Sequence, residues 1–150
     1  AFTHVNPEGS RFSDGGYGVL YMAHEFETAV EETVYHRERF LAATGEPPID
    51  ITMRCYASGV HGTLHDIRGG WKAEHAPDSY TASQKLGAKL RGEGSNGIAY
   101  ASARRSGGEC AALFYPDLAS PCVQGKHLIY RWNGSKIAQV LEVSAVPRKP

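Results

Sequence analysis

The sequence is short of cysteine, of net charge and of long apolar runs, and each shortage removes a class of protein. Three cysteines stand in 150 residues, Cys55, Cys110 and Cys122, an odd number with no C-x-x-C spacing. That argues against a disulfide framework or a zinc knuckle and reads as reduced thiols of a cytoplasmic protein. Lys and Arg together number 16, Asp and Glu together 16, so the formal net charge is zero. A domain that tracks phosphates carries a basic excess, so direct nucleic-acid binding is not expected. No apolar run approaches the roughly 18–20 residues of a membrane span, mean hydropathy is -0.38, and no membrane association is expected. No charged-then-apolar segment opens the chain, and a first residue other than Met leaves room for residues ahead of it.

What is present suits one globular domain with a real core: 41% of the residues are hydrophobic and 21% charged,. The opening stretch, Ala1–Gly18, is polar and Gly-rich, with a short strand expected near Arg11-Phe12. Val19–Ala23 reads as a buried strand. Glu25–Thr44 is the clearest helix, because Phe26, Ala29, Val30, Thr33, Val34, Phe40 and Leu41 recur at three- and four-residue spacing. Gly45-Glu46-Pro47-Pro48 ends it, since neither proline can continue the ladder. Ile49–Ala57 reads as a strand, and the following stretch to Ala76 shows little periodicity. Thr81–Arg91 is a second helix, capped by Gly92 or Gly94. Strands are expected at Gly97–Ala103, Ala111–Tyr115, His127–Trp132 and Lys136–Val143, the last two joined by an Asn133-Gly134 hairpin whose turn residues both take positive φ. The fold class is α+β: a single domain, mainly antiparallel sheet with a few helices.

Two spellings suggest chemistry they cannot support. Gly92-Glu93-Gly94-Ser95-Asn96-Gly97 matches G-x-G-x-x-G, but a dinucleotide site needs a strand before the glycines and a helix after them. Here the helix comes first, so a helix-to-strand turn is the better account, and without H-R-D or D-F-G a kinase loop fails too. His61 and His65 stand four apart like metal ligands, yet Gly59, Gly62, Gly69 and Gly70 make a helix there unfavourable and no third ligand has the spacing. No metal is expected. No G-x-S-x-G appears, so a hydrolase nucleophile has no support.

Four segments remain together: Gly9-Ser10-Arg11-Phe12-Ser13, the Tyr21 of Leu20-Tyr21-Met22-Ala23, a carboxylate at Glu31 or Glu32, and Ser102 in the run Gly97–Arg105. In this order they resemble the RES domain, the toxin half of bacterial RES–Xre toxin–antitoxin pairs. The matching segments are Ser10-Arg11-Phe12-Ser13, Gly18-Val19-Leu20-Tyr21, Glu27-Thr28-Ala29-Val30-Glu31-Glu32 and the stretch around Ser102. The resemblance runs from about Gly9 to Gly134, departs at Ser10, where many members have Gly, and transfers nothing to Ile51–Ala76. It implies an ADP-ribosyltransferase-like fold that takes NAD+ as substrate and cleaves its nicotinamide–ribose bond, by hydrolysis or phosphorolysis. The alternative is transfer of ADP-ribose to a protein acceptor. It also implies an Xre-type antitoxin as partner, blocking the cleft and making any DNA contact.

The residue types fit that chemistry. Nicotinamide leaves a pyridinium as a neutral ring and needs no general acid, so one carboxylate suffices where glycoside cleavage uses two. That carboxylate steadies the oxocarbenium-like sugar. Arg11 would grip the diphosphate or a ribose oxygen, Tyr21 would face the nicotinamide, and Ser102 would hold the carboxylate or the nicotinamide side. The resemblance selects Glu32; helix angles alone leave Glu31 open, although Glu31 shares an acidic row with Glu27 and Glu38 while Glu32 shares one with Thr28, His36 and Arg39. Plain structural readings stand beside these: Arg11 in a surface ion pair, Tyr21 in the core, Glu32 paired with His36, Ser102 as a satisfied strand residue. Tyr56, Tyr80, His36 and Arg104 are candidates for supporting groups. The Glu25-Phe26-Glu27 spelling of some protein ADP-ribosyltransferases is read as coincidence. A reading from another class is a non-catalytic interaction module that uses the Asn133-Gly134 hairpin and C-terminal strand as an exposed edge.

Overall fold

Among the described residues, seven strands and two α-helices run in the order β1 (Leu20–Ala23), α1 (Phe26–Thr44), β2 (Ile49–Ala57), β3 (His65–Asp66), α2 (Thr81–Gly92), β4 (Gly97–Ala101), β5 (Glu109–Leu113), β6 (Val123–Trp132) and β7 (Ile137–Val143). The computed structural model describes residue 2 and residues 6–147; of the opening stretch, positions 1 and 3–5 lie outside the described residues. The fold is α+β, with two mostly antiparallel sheets. The chain forms two compact units, one from the residues up to Glu32 with Val60–Ser120, the other from Thr33–Gly59 with the residues after Ser120.

The first unit holds a four-stranded sheet in the order β1-β5-β4-β3, antiparallel except for the β3–β4 pair. Ile98, Tyr100, Ala112 and Phe114 bury one side of it with Phe12, Ile67 and Leu90. Helix α2 ends as its sequence demands. Gly94 takes φ +80, the Ser95 N–H donates to the Leu90 carbonyl and the Gly94 N–H to the Arg91 carbonyl, the paired bonds of a Schellman cap. The G-x-G-x-x-G spelling is thus a helix C-cap running into β4.

The second unit is the antiparallel sheet β2-β6-β7 with the rest of α1. Tyr130 and Trp132 are each 1% exposed. The Tyr130 hydroxyl meets Thr33 Oγ1 at 2.7 Å, Trp132 Nε1 donates to the Glu46 carbonyl at 2.9 Å, and the Ile137 N–H donates to Glu38 Oε1 at 2.7 Å.

Three local expectations need correction. Arg11-Phe12 is not a strand but the tip of a turn, closed by a bridge between Ser10 and Ser13. The 133–136 turn has only Gly134 at positive φ; Asn133 instead accepts the Ser135 and Lys136 N–H groups on its Oδ1, and its own N–H donates to the Lys136 carbonyl. The loop is therefore longer than the two residues that would force positive φ on Asn133. On α1, Thr28 is fully buried while Phe40 is 56% exposed, because Thr28 lies against Gly108 rather than solvent.

Candidate active site

Arg11 stands on its turn because two side chains brace it. The Tyr21 hydroxyl accepts the Phe12 N–H at 2.9 Å and shares a hydrogen bond with Ser10 Oγ at 2.7 Å, so it grips the chain on both sides of Arg11. From α2, Gln84 Nε2 donates to the Ser10 and Ser13 carbonyls at 3.0 and 3.2 Å. The Arg11 side chain is 8% exposed. Its Nη1 donates to the Glu74 and Ala76 carbonyls, both at 3.1 Å, and its guanidinium lies 4.8 Å from the centre of the Tyr80 ring. Among the described residues it makes no ion pair, so the reading of Arg11 as a surface ion-pair residue is overturned. Its side chain thus contacts backbone carbonyls and an aromatic ring.

Glu32 and Ser102 meet directly. Ser102 Oγ donates to Glu32 Oε1 at 2.6 Å. Ser102 Oγ also accepts the N–H groups of Arg104 and Arg105 at 3.1 and 3.0 Å, and the Ser102 N–H donates to the Gly108 carbonyl. Glu31, by contrast, is exposed and Glu32 half-buried, which separates the two acids where helix angles did not.

The loop that carries Ser102 is fastened to α1 at a second point. Arg105 Nη1 donates to Thr28 Oγ1 at 3.1 Å and lies 3.8 Å from Glu25 Oε2, while Thr28 Oγ1 donates to that same carboxylate oxygen at 2.8 Å. The bonds from Thr28 and His24 hold the Glu25 carboxyl below its ordinary value. Glu25 is therefore engaged in fixing the helix start, and Glu27 is exposed. Tyr21 and Tyr100 both titrate above the ordinary phenol, chiefly through burial; the bond from Ser10 draws Tyr21 partly back, while Cys110 and Glu32 push Tyr100 higher still.

The Tyr21 hydroxyl is thus committed to the Arg11 turn. A hollow of about 200 Å³ beside it is walled by Ser10, Ser13, Tyr17 and Tyr21. It is smaller than the roughly 300 Å³ at which ligand pockets begin, and Arg11, Glu32 and Ser102 do not line it. The histidines at 61 and 65 are engaged separately, His61 Nε2 with Ser120 Oγ and His65 edge-on to Trp71. Among the described residues no group of three His, Cys, Asp or Glu could hold a metal. Cys110 is buried, Cys122 exposed, and none of the three thiols is in a disulfide.

Sequence reasoning missed Gln84, Arg105 and the backbone carbonyls of Glu74 and Ala76, and placed Thr28 only in the polar row of Glu32. Thr28 had a visible signal, since it stands four residues before Glu32 on one helix row. The carbonyls had none. No helix among the described residues is long and apolar enough to cross a membrane.

With this geometry in view, the comparisons are direct. Residues 1–133 match the family model of the RES domain. The "Uncharacterized protein y4oC" of Sinorhizobium fredii (strain NBRC 101917 / NGR234) is 33% identical over 138 residues, which cover 91% of this chain and 57% of that protein. The chain therefore spans little more than half the length of that relative. A match over nearly the whole chain, with Arg11, Glu32 and Ser102 all inside it, means that this chain belongs to the RES domain family.

Proposed function

We propose that the chain cleaves the nicotinamide–ribose bond of NAD+, and that this makes it the toxin of a toxin–antitoxin pair. The observation that carries the reading is the 2.6 Å bond from Ser102 Oγ to Glu32 Oε1, in the unit that also buries Arg11. An oriented carboxylate and a buried guanidinium are what an oxocarbenium-forming cleavage of a dinucleotide requires. Family membership supports the same conclusion.

In the proposed step the bond from ribose C1′ to the ring nitrogen breaks and both its electrons go to nicotinamide, which departs neutral. The positive charge passes to C1′ and the ring oxygen, where Glu32 stabilises it. One carboxylate oxygen is pinned by Ser102, so its companion Oε2 is the atom offered to the sugar. Arg11 offers the nitrogens not occupied by Glu74 and Ala76 to the diphosphate. An oxygen of water or phosphate then bonds to C1′, and the proton it sheds passes to bulk solvent. Ser102 does not attack: its hydrogen is on Glu32 and its oxygen takes two backbone N–H groups.

The acceptor is decided by incubating the protein with adenylate-labelled NAD+ and a cell lysate. Label confined to small molecules together with released nicotinamide is the expected result. A labelled protein band would make the reaction ADP-ribosyl transfer, and no nicotinamide release at all would overturn the reading. An Xre-type antitoxin that covers the site, and residence in the cytoplasm, complete the proposal; the purified antitoxin should abolish nicotinamide release at equal concentration.

A further inference from the structure

Trp71–Tyr80 is a strap without regular secondary structure that side chains hold in place. It opens on Trp71 at φ 49, the one non-glycine residue among those described with positive φ, a conformation a bulky side chain adopts only when its surroundings impose it. His75 holds the Trp71 carbonyl. Its Nδ1 lies 2.9 Å from the Trp71 carbonyl and its Nε2 3.1 Å from the Ala101 N–H. A carbonyl can only accept and an amide N–H can only donate, so the hydrogen is on Nδ1 and the lone pair on Nε2. A single neutral tautomer satisfies both.

Both ends of that bridge concern the site. Ala101 closes β4, and the next residue is Ser102. The residues on either side of His75, Glu74 and Ala76, supply the two carbonyls that hold Arg11 Nη1. We propose that His75 is a positioning residue: its neutral ring pins the strap to the end of β4 and so sets the carbonyls that aim the Arg11 guanidinium. Its kinetic consequences rest on the NAD+ reading, but the aiming of Arg11 does not. Other ties keep the strap in place when the ring is gone, namely Arg104 Nη2 on the Pro77 carbonyl at 2.6 Å and the Arg11 guanidinium on Tyr80. A His75 variant is therefore expected to fold.

The test uses His75→Ala, which removes both bonds, and His75→Gln, whose amide can donate to one partner and accept from the other. Nitrogen-15 NMR of the Arg11 guanidinium reads rotation about its Nη1 bond. Rotation is slow in wild type and in His75→Gln, and becomes fast in His75→Ala. In kinetics His75→Ala raises KM for NAD+ roughly five- to tenfold, the loss expected when hydrogen bonds that orient a charged group are weakened, with kcat within about twofold and His75→Gln near wild type. In an Arg11→Ala background the added His75→Ala changes KM less than about twofold, because the two act as one unit. Unchanged guanidinium rotation in His75→Ala, or full additivity with Arg11→Ala, overturns the proposal. A wild type that cleaves no NAD+ overturns the function reading instead, and the guanidinium measurement then decides the role of His75 by itself.

Discussion

Ser102 shows most clearly how fully a single hydroxyl can be engaged. Its hydroxyl has one hydrogen and two lone pairs, and all three are used: the hydrogen on Glu32, the lone pairs by the Arg104 and Arg105 N–H groups,. Ser102→Ala therefore leaves the Glu32 carboxylate unpinned and two N–H groups short of an acceptor. Nicotinamide release should fall about ten- to a hundredfold, the worth of a hydrogen bond to a charged group. The urea midpoint should fall with it, by an amount equivalent to about 1–3 kcal/mol for the unmet donors. Unchanged turnover in a folded Ser102→Ala protein would mean that the serine serves the loop alone. The residue types were legible beforehand, but their burdens were not. The sequence suggests a ligand grip at Arg11 and an aromatic face at Tyr21, but not that the Tyr21 hydroxyl holds the Arg11 turn. Nothing in Ser-Arg-Phe-Ser announces a turn, because its centre lacks Gly, Pro, Asn and Asp; it bends because Tyr21 and Gln84 make it bend.

At the scale of elements, the loop between β4 and β5 is joined to α1 twice along one helix row. Ser102 meets Glu32, and Arg105 meets Thr28 one turn earlier. The close approach depends on Gly108, where an added Cβ would lie 2.6 Å from Thr28 Oγ1 and 2.8 Å from its Cγ2. Gly108→Ala must push the loop and the helix apart, an overpacking cost of about 1–3 kcal/mol. At roughly 2–4 °C per kcal/mol for a chain of this length, a scan should show Tm lowered by several degrees. Nicotinamide release should drop along with it, since the displaced loop carries Ser102; an unmoved Tm would show that the contact is looser than drawn. The two helices were readable because their apolar spacing and terminal glycines agree. The N-terminal end of β6 was not: Val123, Gln124, Gly125 and Lys126 are exposed and join the strand through pairing with β2, where Ala57 faces Val123 and Tyr56 faces Gln124. Hydrophobic patterning cannot report a strand made by backbone pairing alone. The Trp71–Tyr80 strap was illegible for a related reason, since its partners Arg11, Ala101 and Arg104 lie far away in sequence.

Over the whole molecule, the buried weak acids set its limit in alkali. Burial, with a lesser push from Glu32, raises the Cys110 thiol from 9.0 to about 12. Burial, with Asp14 and Tyr21 beside it, raises the Tyr17 phenol from 10.0 to about 12. A raised value means that the folded chain keeps a proton the unfolded chain releases. Stability is therefore complete below the unfolded values and is lost as pH climbs from about 9 toward about 12. Urea midpoints measured across that range should decline steadily, and Cys110→Ala should remove the earliest part of the decline; a level profile would contradict the burial of both groups. The family and the α+β class were within reach of the sequence, because ordered short motifs survive where single residues do not discriminate.

The central claim is that the Glu32 carboxylate stabilises the sugar cation left by nicotinamide. Glu32→Gln keeps the size of the side chain and an oxygen to accept from Ser102, while removing the charge. Nicotinamide release from NAD+ by this variant, with folding verified by circular dichroism, should fall about a hundred- to a thousandfold, the worth of one preorganised electrostatic group. Release at the wild-type rate would contradict the account.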